Sequence, residues 1–165
     1  MRCLQLNKFI YLNVKVKVNL GFGVSAGVPQ GSVLGPILWN IGYDWVLWGG
    51  TMAGIKVLCY ADDTLVLAQQ RTYREAAVLA KAGVAQVVGR IRRLGQEVAL
   101  NKSEAIYFHA SRKGPPPDAH IIVGGVNIDV SRSMKYLGLV LDGRWSFRGH
   151  FTSLAPKLLK TVFCV

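Results

Sequence analysis

Ile55-Lys56-Val57-Leu58-Cys59-Tyr60-Ala61-Asp62-Asp63-Thr64-Leu65-Val66-Leu67-Ala68 reads as two apolar, β-branched runs joined at a tight turn that carries two adjacent carboxylates. Both runs are too apolar for solvent loops, so the pair of acids belongs at the edge of a sheet. Neighbouring carboxylates repel unless a proton or a cation neutralises them, and at neutral pH a divalent metal does so naturally. Mg²⁺ in particular favours a few carboxylates completed by water and substrate phosphates. On these residues alone a second reading stays open, in which the aspartates simply supply turn chemistry.

The surrounding composition narrows the choice. With 165 residues, 51% of them hydrophobic and only 18% charged, the chain is expected to form one domain with a real core rather than a disordered segment. Twenty Lys and Arg against nine Asp and Glu give a net charge of +11, which suits a polyanionic partner such as nucleic acid. No acid precedes Asp44, whereas Arg2, Lys8, Lys15 and Lys17 crowd the first segment. Cys3, Cys59 and Cys164 are odd in number and widely spaced, and His109, His120 and His150 share no ligand spacing, so neither a disulfide framework nor a zinc site is legible. The apolar stretch from Val33 to Met52 is interrupted by Pro36, Asn40 and Asp44 and reads as a buried helix rather than a membrane span. No secretory signal is readable at the N-terminus, and the expected location is the nucleus or cytoplasm.

Along the chain, Leu12 to Leu20 alternates apolar residues with Asn13, Lys15, Lys17 and Asn19, the period of a half-buried strand with a basic outer face. A Gly/Pro/Gln loop from Gly27 to Ser32 leads into the helix expected from Val33. Tyr73 to Leu94 carries Val78, Val84, Val87, Val88, Ile91 and Leu94 near helical spacing, with Arg74, Lys81, Arg90 and Arg93 on a basic face and Gly95 as the stop. Glu97 to Leu100 and Ala105 to Phe108 read as short strands. A loop from Arg112 to Asp118 follows, then a hairpin around Gly124-Gly125, then one strand from Lys135 to Leu141. The tail from Trp145 has a helical pattern disturbed by Pro156.

Four blocks stand in a fixed order: Gly27-Val28-Pro29-Gln30-Gly31-Ser32-Val33-Leu34-Gly35-Pro36, then Tyr60-Ala61-Asp62-Asp63, then Leu100-Asn101-Lys102-Ser103-Glu104, then Lys135-Tyr136-Leu137-Gly138. Together they resemble the palm of a reverse transcriptase, in particular those of non-LTR retrotransposons, over nearly the whole chain. The resemblance implies an α+β fold: a palm-type antiparallel sheet with helices packed on one face, an exposed groove on the other, and the start of a helical thumb. It divides the chain into a partial palm at 1–142 and the beginning of the thumb at 143–165. It implies RNA-directed DNA synthesis by two-metal nucleotidyl transfer. Asp62 and Asp63 would be the metal ligands, with Mg²⁺ or Mn²⁺ as the cofactor. Gln30, Gly31 and Tyr60 would meet nucleotide and template, Lys102 the departing pyrophosphate, and Tyr136, Leu137 and Gly138 the primer. The implied partners are an RNA template, a DNA primer or RNA–DNA hybrid, and deoxynucleoside triphosphates. Arg90, Arg92 and Arg93, with Arg144, Arg148, Lys157 and Lys160, would add sequence-independent phosphate contacts.

One part of the family pattern is missing. The family's site uses a further aspartate on a strand before the Gly27 block, and this sequence has no acid there. The expectation is therefore an N-terminally incomplete domain, catalytic within an intact parent and unable to extend a primer by itself. A non-catalytic, basic nucleic-acid-binding relic remains the alternative. A helix left uncovered by missing neighbours would expose apolar surface.

Overall fold

The computed structural model describes residues 8–17, 33–109 and 114–162, with 8–17 and 160–162 described as backbone alone. The sequence-predicted loop holding Gln30 and Gly31 lies outside the described residues. Within them the architecture is α+β.

The strands are β1 (Lys8–Lys17), β2 (Ile55–Tyr60), β3 (Asp63–Gln70), β4 (Glu97–Val98), β5 (Glu104–Phe108), β6 (His120–Val123) and β7 (Val126–Ser131). They form one sheet in the order β2-β3-β1-β5-β7-β6, with β4 pairing the end of β1. All pairings are antiparallel except β5 with β7, which run parallel, so the antiparallel expectation needs that one amendment. The first strand begins earlier than its alternating pattern predicts, and the last three residues of the expected strand, 18–20, lie outside the described residues. Glu97 to Leu100 likewise yields only a two-residue strand before a 3₁₀ turn at Leu100–Lys102.

Strand alternation sorts the central residues onto two faces. Val66 and Ala68 of β3 join Ile55, Ala105 and Tyr107 in a core shared with helix α2 (Tyr73–Arg93). A capping box starts this helix: Thr72 Oγ1 accepts from Glu75 N at 3.3 Å while Thr72 N donates to Glu75 Oε2 at 3.2 Å. Gly83 lets α2 sit close to the sheet, because a methyl group there would come within 2.8 Å of Ile55 Cδ1. Ala76, Ala80, Val84, Val87, Val88 and Ile91 are buried beneath the helix, whereas Val78, expected on that stripe, is 66% exposed.

The opposite face is not simply open. Leu65, Leu67, Ile106 and Phe108 pack there against Met134 and Leu141. These two residues belong to a hairpin, β8 (Ser133–Tyr136) and β9 (Leu139–Asp142), where a single strand was expected from Lys135 to Leu141. Leu137 and Gly138 both take positive φ, 46° and 84°, as a two-residue hairpin turn demands. Beyond it Asp142 ties down the chain before helix α3 (Arg148–Val162). Its carboxylate accepts from Arg144 N, Ser146 N, Ser146 Oγ and Phe147 N at 2.8–3.2 Å. Burial pushes the Asp142 carboxyl up, but these hydrogen bonds outweigh it and hold the group below its ordinary value.

Helix α1 (Gly35–Trp48) departs furthest from expectation. Only Gly35, Tyr43 and Val46 are buried, and most of its apolar residues face outward, so it is not a buried helix. Its C-terminus is held by Arg90 of α2, whose guanidinium donates to Val46 O at 2.9 Å and to the carbonyls of Gly49 and Gly50. Arg90 is 8% exposed, so it is a clamp between helices and not the solvent-facing phosphate contact its basic neighbours suggest. A methyl group at Gly49 would lie 2.5 Å from Arg90 Cζ, so a larger residue there would have to displace the guanidinium.

Candidate polymerase site at the β2–β3 turn

The two acids sit where the sheet's most apolar hairpin turns over. Tyr60 and Asp63 are the last cross-strand pair of β2 and β3, so Ala61 and Asp62 make a two-residue turn. Ala61 takes φ 50°, a left-handed conformation that a side chain tolerates poorly, and something must hold it. Trp39 of α1 does so, donating Nε1–H to Ala61 O at 3.2 Å. Trp39 stacks on Tyr43 one helical turn later, with ring centroids 4.7 Å apart. A helix with only three buried residues thus fixes the turn with the two carboxylates. Sequence reading missed Trp39 and Tyr43; an aromatic pair at i, i+4 just upstream of the hairpin was the available signal.

Asp62 is exposed and Asp63 partly so. The charge of Asp62 is felt by Tyr43 and that of Asp63 by Tyr136, so the carboxylates lie between α1 and the β8–β9 hairpin. The Tyr43 phenol is pushed up chiefly by burial, opposed by Thr64 and reinforced by Cys59 and Asp62. Its Oη is buried without a well-formed hydrogen bond among the described residues. Thr64, fully buried, accepts from Cys59 Sγ at 3.7 Å on the helix side of the sheet. Tyr136 is raised first by burial, then by Asp63 and Cys59.

Of the sequence-predicted site residues, the fold brings Tyr60, Asp62, Asp63 and Tyr136 together. Tyr60 is 64% exposed, and as the cross-strand partner of Asp63 it shares that residue's face of the sheet. Leu137 and Gly138 form the tip of the hairpin that carries Tyr136. Lys102 is exposed in the 3₁₀ turn just before β5, at the same end of the sheet as Asp63. It lies beyond β1, about two strand spacings or roughly 10 Å to the side. The described backbone of β1 runs alongside β3 with Lys15 in register with Asp63.

Two adjacent carboxylates are suitable hard donors for a divalent cation, but they are an incomplete set. Among the described residues no group of three or more His, Cys, Asp or Glu is placed to hold a metal ion. No described helix is long and apolar enough to cross a membrane.

Residues 1–141 match the family described as Reverse transcriptase (RNA-dependent DNA polymerase). The chain belongs to the reverse transcriptase family. It is 33% identical over 141 residues to the probable RNA-directed DNA polymerase from transposon X-element of Drosophila melanogaster, covering 82% of this chain and 15% of that protein. Two proteins named as Pol polyproteins of type-1 retrotransposable element R1 are also similar. The one from Bradysia coprophila is 31% identical over 146 residues, 86% of this chain and 14% of the relative. The other, from Nasonia vitripennis, is 43% identical over 143 residues, 82% of this chain and 34% of the relative. No solved structure is significantly similar to it. This is a reverse transcriptase segment of the non-LTR retrotransposon type, and it spans only about one seventh of the X-element protein and of the Bradysia R1 protein. Reverse transcriptases act on nucleic-acid templates and primers with nucleotide substrates, and use divalent metals.

Proposed function

We propose that the β2–β3 turn is the metal-holding element of RNA-templated DNA synthesis in a longer polypeptide, and that the 165-residue chain alone does not extend a primer. The observation that carries this reading is the gathering of Asp62, Asp63 and Tyr60 at one hairpin end beside Tyr136. Asp62 and Asp63 would hold the cation, Mg²⁺ in the first instance and Mn²⁺ as its substitute. When bound, such a cation neutralises charge on the attacking and leaving oxygens of phosphoryl transfer. Tyr60 borders the position of the primer end, and the Tyr136-Leu137-Gly138 tip contacts the primer strand. Lys102 offers a cation to the departing pyrophosphate. Gln30 and Gly31 contribute to the nucleotide and template contact, with Gly31 allowing close backbone approach. The natural substrates are an RNA template, a DNA primer and deoxynucleoside triphosphates, met in the nucleus or cytoplasm. Residues 1–142 act as a partial palm and 143–165 begin the thumb.

Incompleteness limits the isolated chain. Two carboxylates without a third leave a cation weakly held and the substrate poorly oriented, and misplacement of about 1 Å already costs ~100-fold in rate. Primer extension with oligo(dT) on poly(A), with Mg²⁺ or Mn²⁺, tests both parts. The 165-residue chain is expected to give no processive product. A polypeptide extended with upstream sequence from the intact element is expected to give product that Asp62→Asn or Asp63→Asn abolishes. Processive synthesis by the short chain would refute its inactivity, and full activity of the extended Asp63→Asn enzyme would refute the assigned role.

A further inference from the structure

Beneath the β2–β3 turn, on the helix side of the sheet, lies a cleft of about 240 Å³ that polymerase chemistry leaves without a use. Trp39, Tyr43 and Leu47 of α1 line it from one side, Cys59 and Ala61 from the other. Cys59 is partly buried, in no disulfide, and donates to Thr64 Oγ1 at 3.7 Å. Tyr43 is the second reactive feature. Only 4% of it is exposed, yet its Oη has no well-formed hydrogen bond among the described residues. Thr64 and Cys59 both act on that phenol, so hydroxyl and thiol lie together. A buried hydroxyl without a partner is costly. What it lacks is an acceptor, and the cleft has room for one.

We propose that this cleft is a modification site for small α,β-unsaturated carbonyl compounds, which alkylate Cys59 and thereby unlatch the β2–β3 turn. The consequence for metal binding rests on Asp62 and Asp63 being the cation's ligands. The carbonyl oxygen of the reagent accepts from Tyr43 Oη, which draws electrons from the conjugated double bond. Cys59 Sγ bonds to the β-carbon and the π pair moves to an enolate. The thiol proton passes to water, and the α-carbon takes a proton from water, so no oxidant or reductant enters. Burial, partly offset by Thr64, pushes the Cys59 thiol up, so little thiolate exists at neutral pH and reagents not seated in the cleft react slowly. The Tyr43 phenol is also pushed up by burial and stays a donor at neutral pH. The latch is the Trp39 indole, which lines the same cleft and donates to Ala61 O at 3.2 Å. An adduct on Cys59 competes with the indole for that space, and Ala61, held at φ 50°, loses its tether.

N-ethylmaleimide, a flat ring whose double bond is flanked by carbonyls, is the probe, applied at neutral pH to the 165-residue chain with Cys3 and Cys164 changed to Ala. Intact mass and peptide mapping are expected to show one adduct, on Cys59, and none in Cys59→Ser. Tyr43→Phe is expected to slow this labelling ~10-fold, the worth of one hydrogen bond. It should leave the rate with allyl bromide unchanged, because that reagent has no oxygen to accept from the phenol. In the adduct, the Trp39 indole N–H and the amides of Ala61 to Asp63 are expected to shift together, and Mn²⁺ to bind at least ~10-fold more weakly. Should the unmodified chain bind no Mn²⁺ at the turn, the polymerase assignment fails, while labelling and the Trp39 and Ala61 shifts still decide the cleft. An unreactive Cys59, or Tyr43→Phe slowing both reagents or neither, would overturn the proposal. So would an adduct that leaves Trp39 and Ala61 unmoved, or one that leaves the Mn²⁺ affinity of a metal-binding chain unchanged.

Discussion

Helices α1 and α2 lie on the same side of the sheet, yet the more apolar of the two is the less buried. Helix α2 carries a lysine, four arginines and a glutamate, and it buries a continuous stripe from Ala76 to Ile91. Helix α1, with a single charged residue in Asp44, buries only Gly35, Tyr43 and Val46. Hydrophobic content does not decide burial; a face of the right period opposite a sheet does. The two helices also differ in purpose. One closes the core, and the other steadies the Ala61 turn through Trp39 and is steadied in return by Arg90.

The sharpest way to break this contrast is a charge in the α2 stripe. Val84 is fully buried, and Val84→Asp should cost more than ~3 kcal/mol and leave the chain largely unfolded in urea titration. Retention of a native transition would mean that α2 is not the element that closes the core. Next comes the clamp. Arg90→Met leaves the carbonyls of Val46 and Gly49 without this donor, while Gly50 O keeps Gln86 Nε2 at 3.3 Å, and should cost about 2–3 kcal/mol. Hydrogen exchange should rise throughout α1 and at Ala61 to Asp63 while α2 stays protected, and uniform deprotection would argue against a local clamp.

A smaller effect separates the helices by pH. The raised Tyr43 phenol contributes stability that is complete below the unfolded value of 10 and is lost as pH rises through the higher folded value. Tyr43→Phe should therefore flatten part of the alkaline loss of stability. It should change stability at neutral pH by less than about 1 kcal/mol, because the buried hydroxyl has no well-formed partner. An unchanged alkaline profile would show that Tyr43 ionises as freely in the fold as outside it. The smallest effect is expected at Ile37→Ser, within about 0.5 kcal/mol in dilute monomer, since Ile37 is 57% exposed. A loss as large as that at Arg90 would mean that the outer face of α1 is covered.

These contrasts also mark what was legible in the sequence. Local signals carried α2, through its apolar spacing and Gly95 after its end, and the hairpin at Gly124 and Gly125, which both take positive φ. They carried the β2–β3 turn too, because apolar runs on both sides left Ala61 and Asp62 no other role. Properties set by distant residues were not legible. Arg90 looks like its neighbours Arg92 and Arg93, and only the position of α1's C-terminus makes it a buried donor. The split of Lys135 to Leu141 into a hairpin turns on Leu137 accepting φ 46°, which nothing about leucine announces. The start of β1 depends on pairing with β3 and β5, partners far along the chain. For the site, the acids and Tyr136 could be named from their motifs. The supports at Trp39 and Tyr43, and the tether at Asp142, required the fold.

The most direct test of the central claim needs no catalysis. With backbone amide resonances assigned, Mn²⁺ is titrated into the 165-residue chain and paramagnetic broadening is mapped. The account predicts broadening centred on Tyr60 to Thr64 and reaching Tyr136 to Gly138, competed by Mg²⁺ and lost in Asp62→Asn/Asp63→Asn. Broadening centred elsewhere, or unchanged by the double substitution, would contradict it.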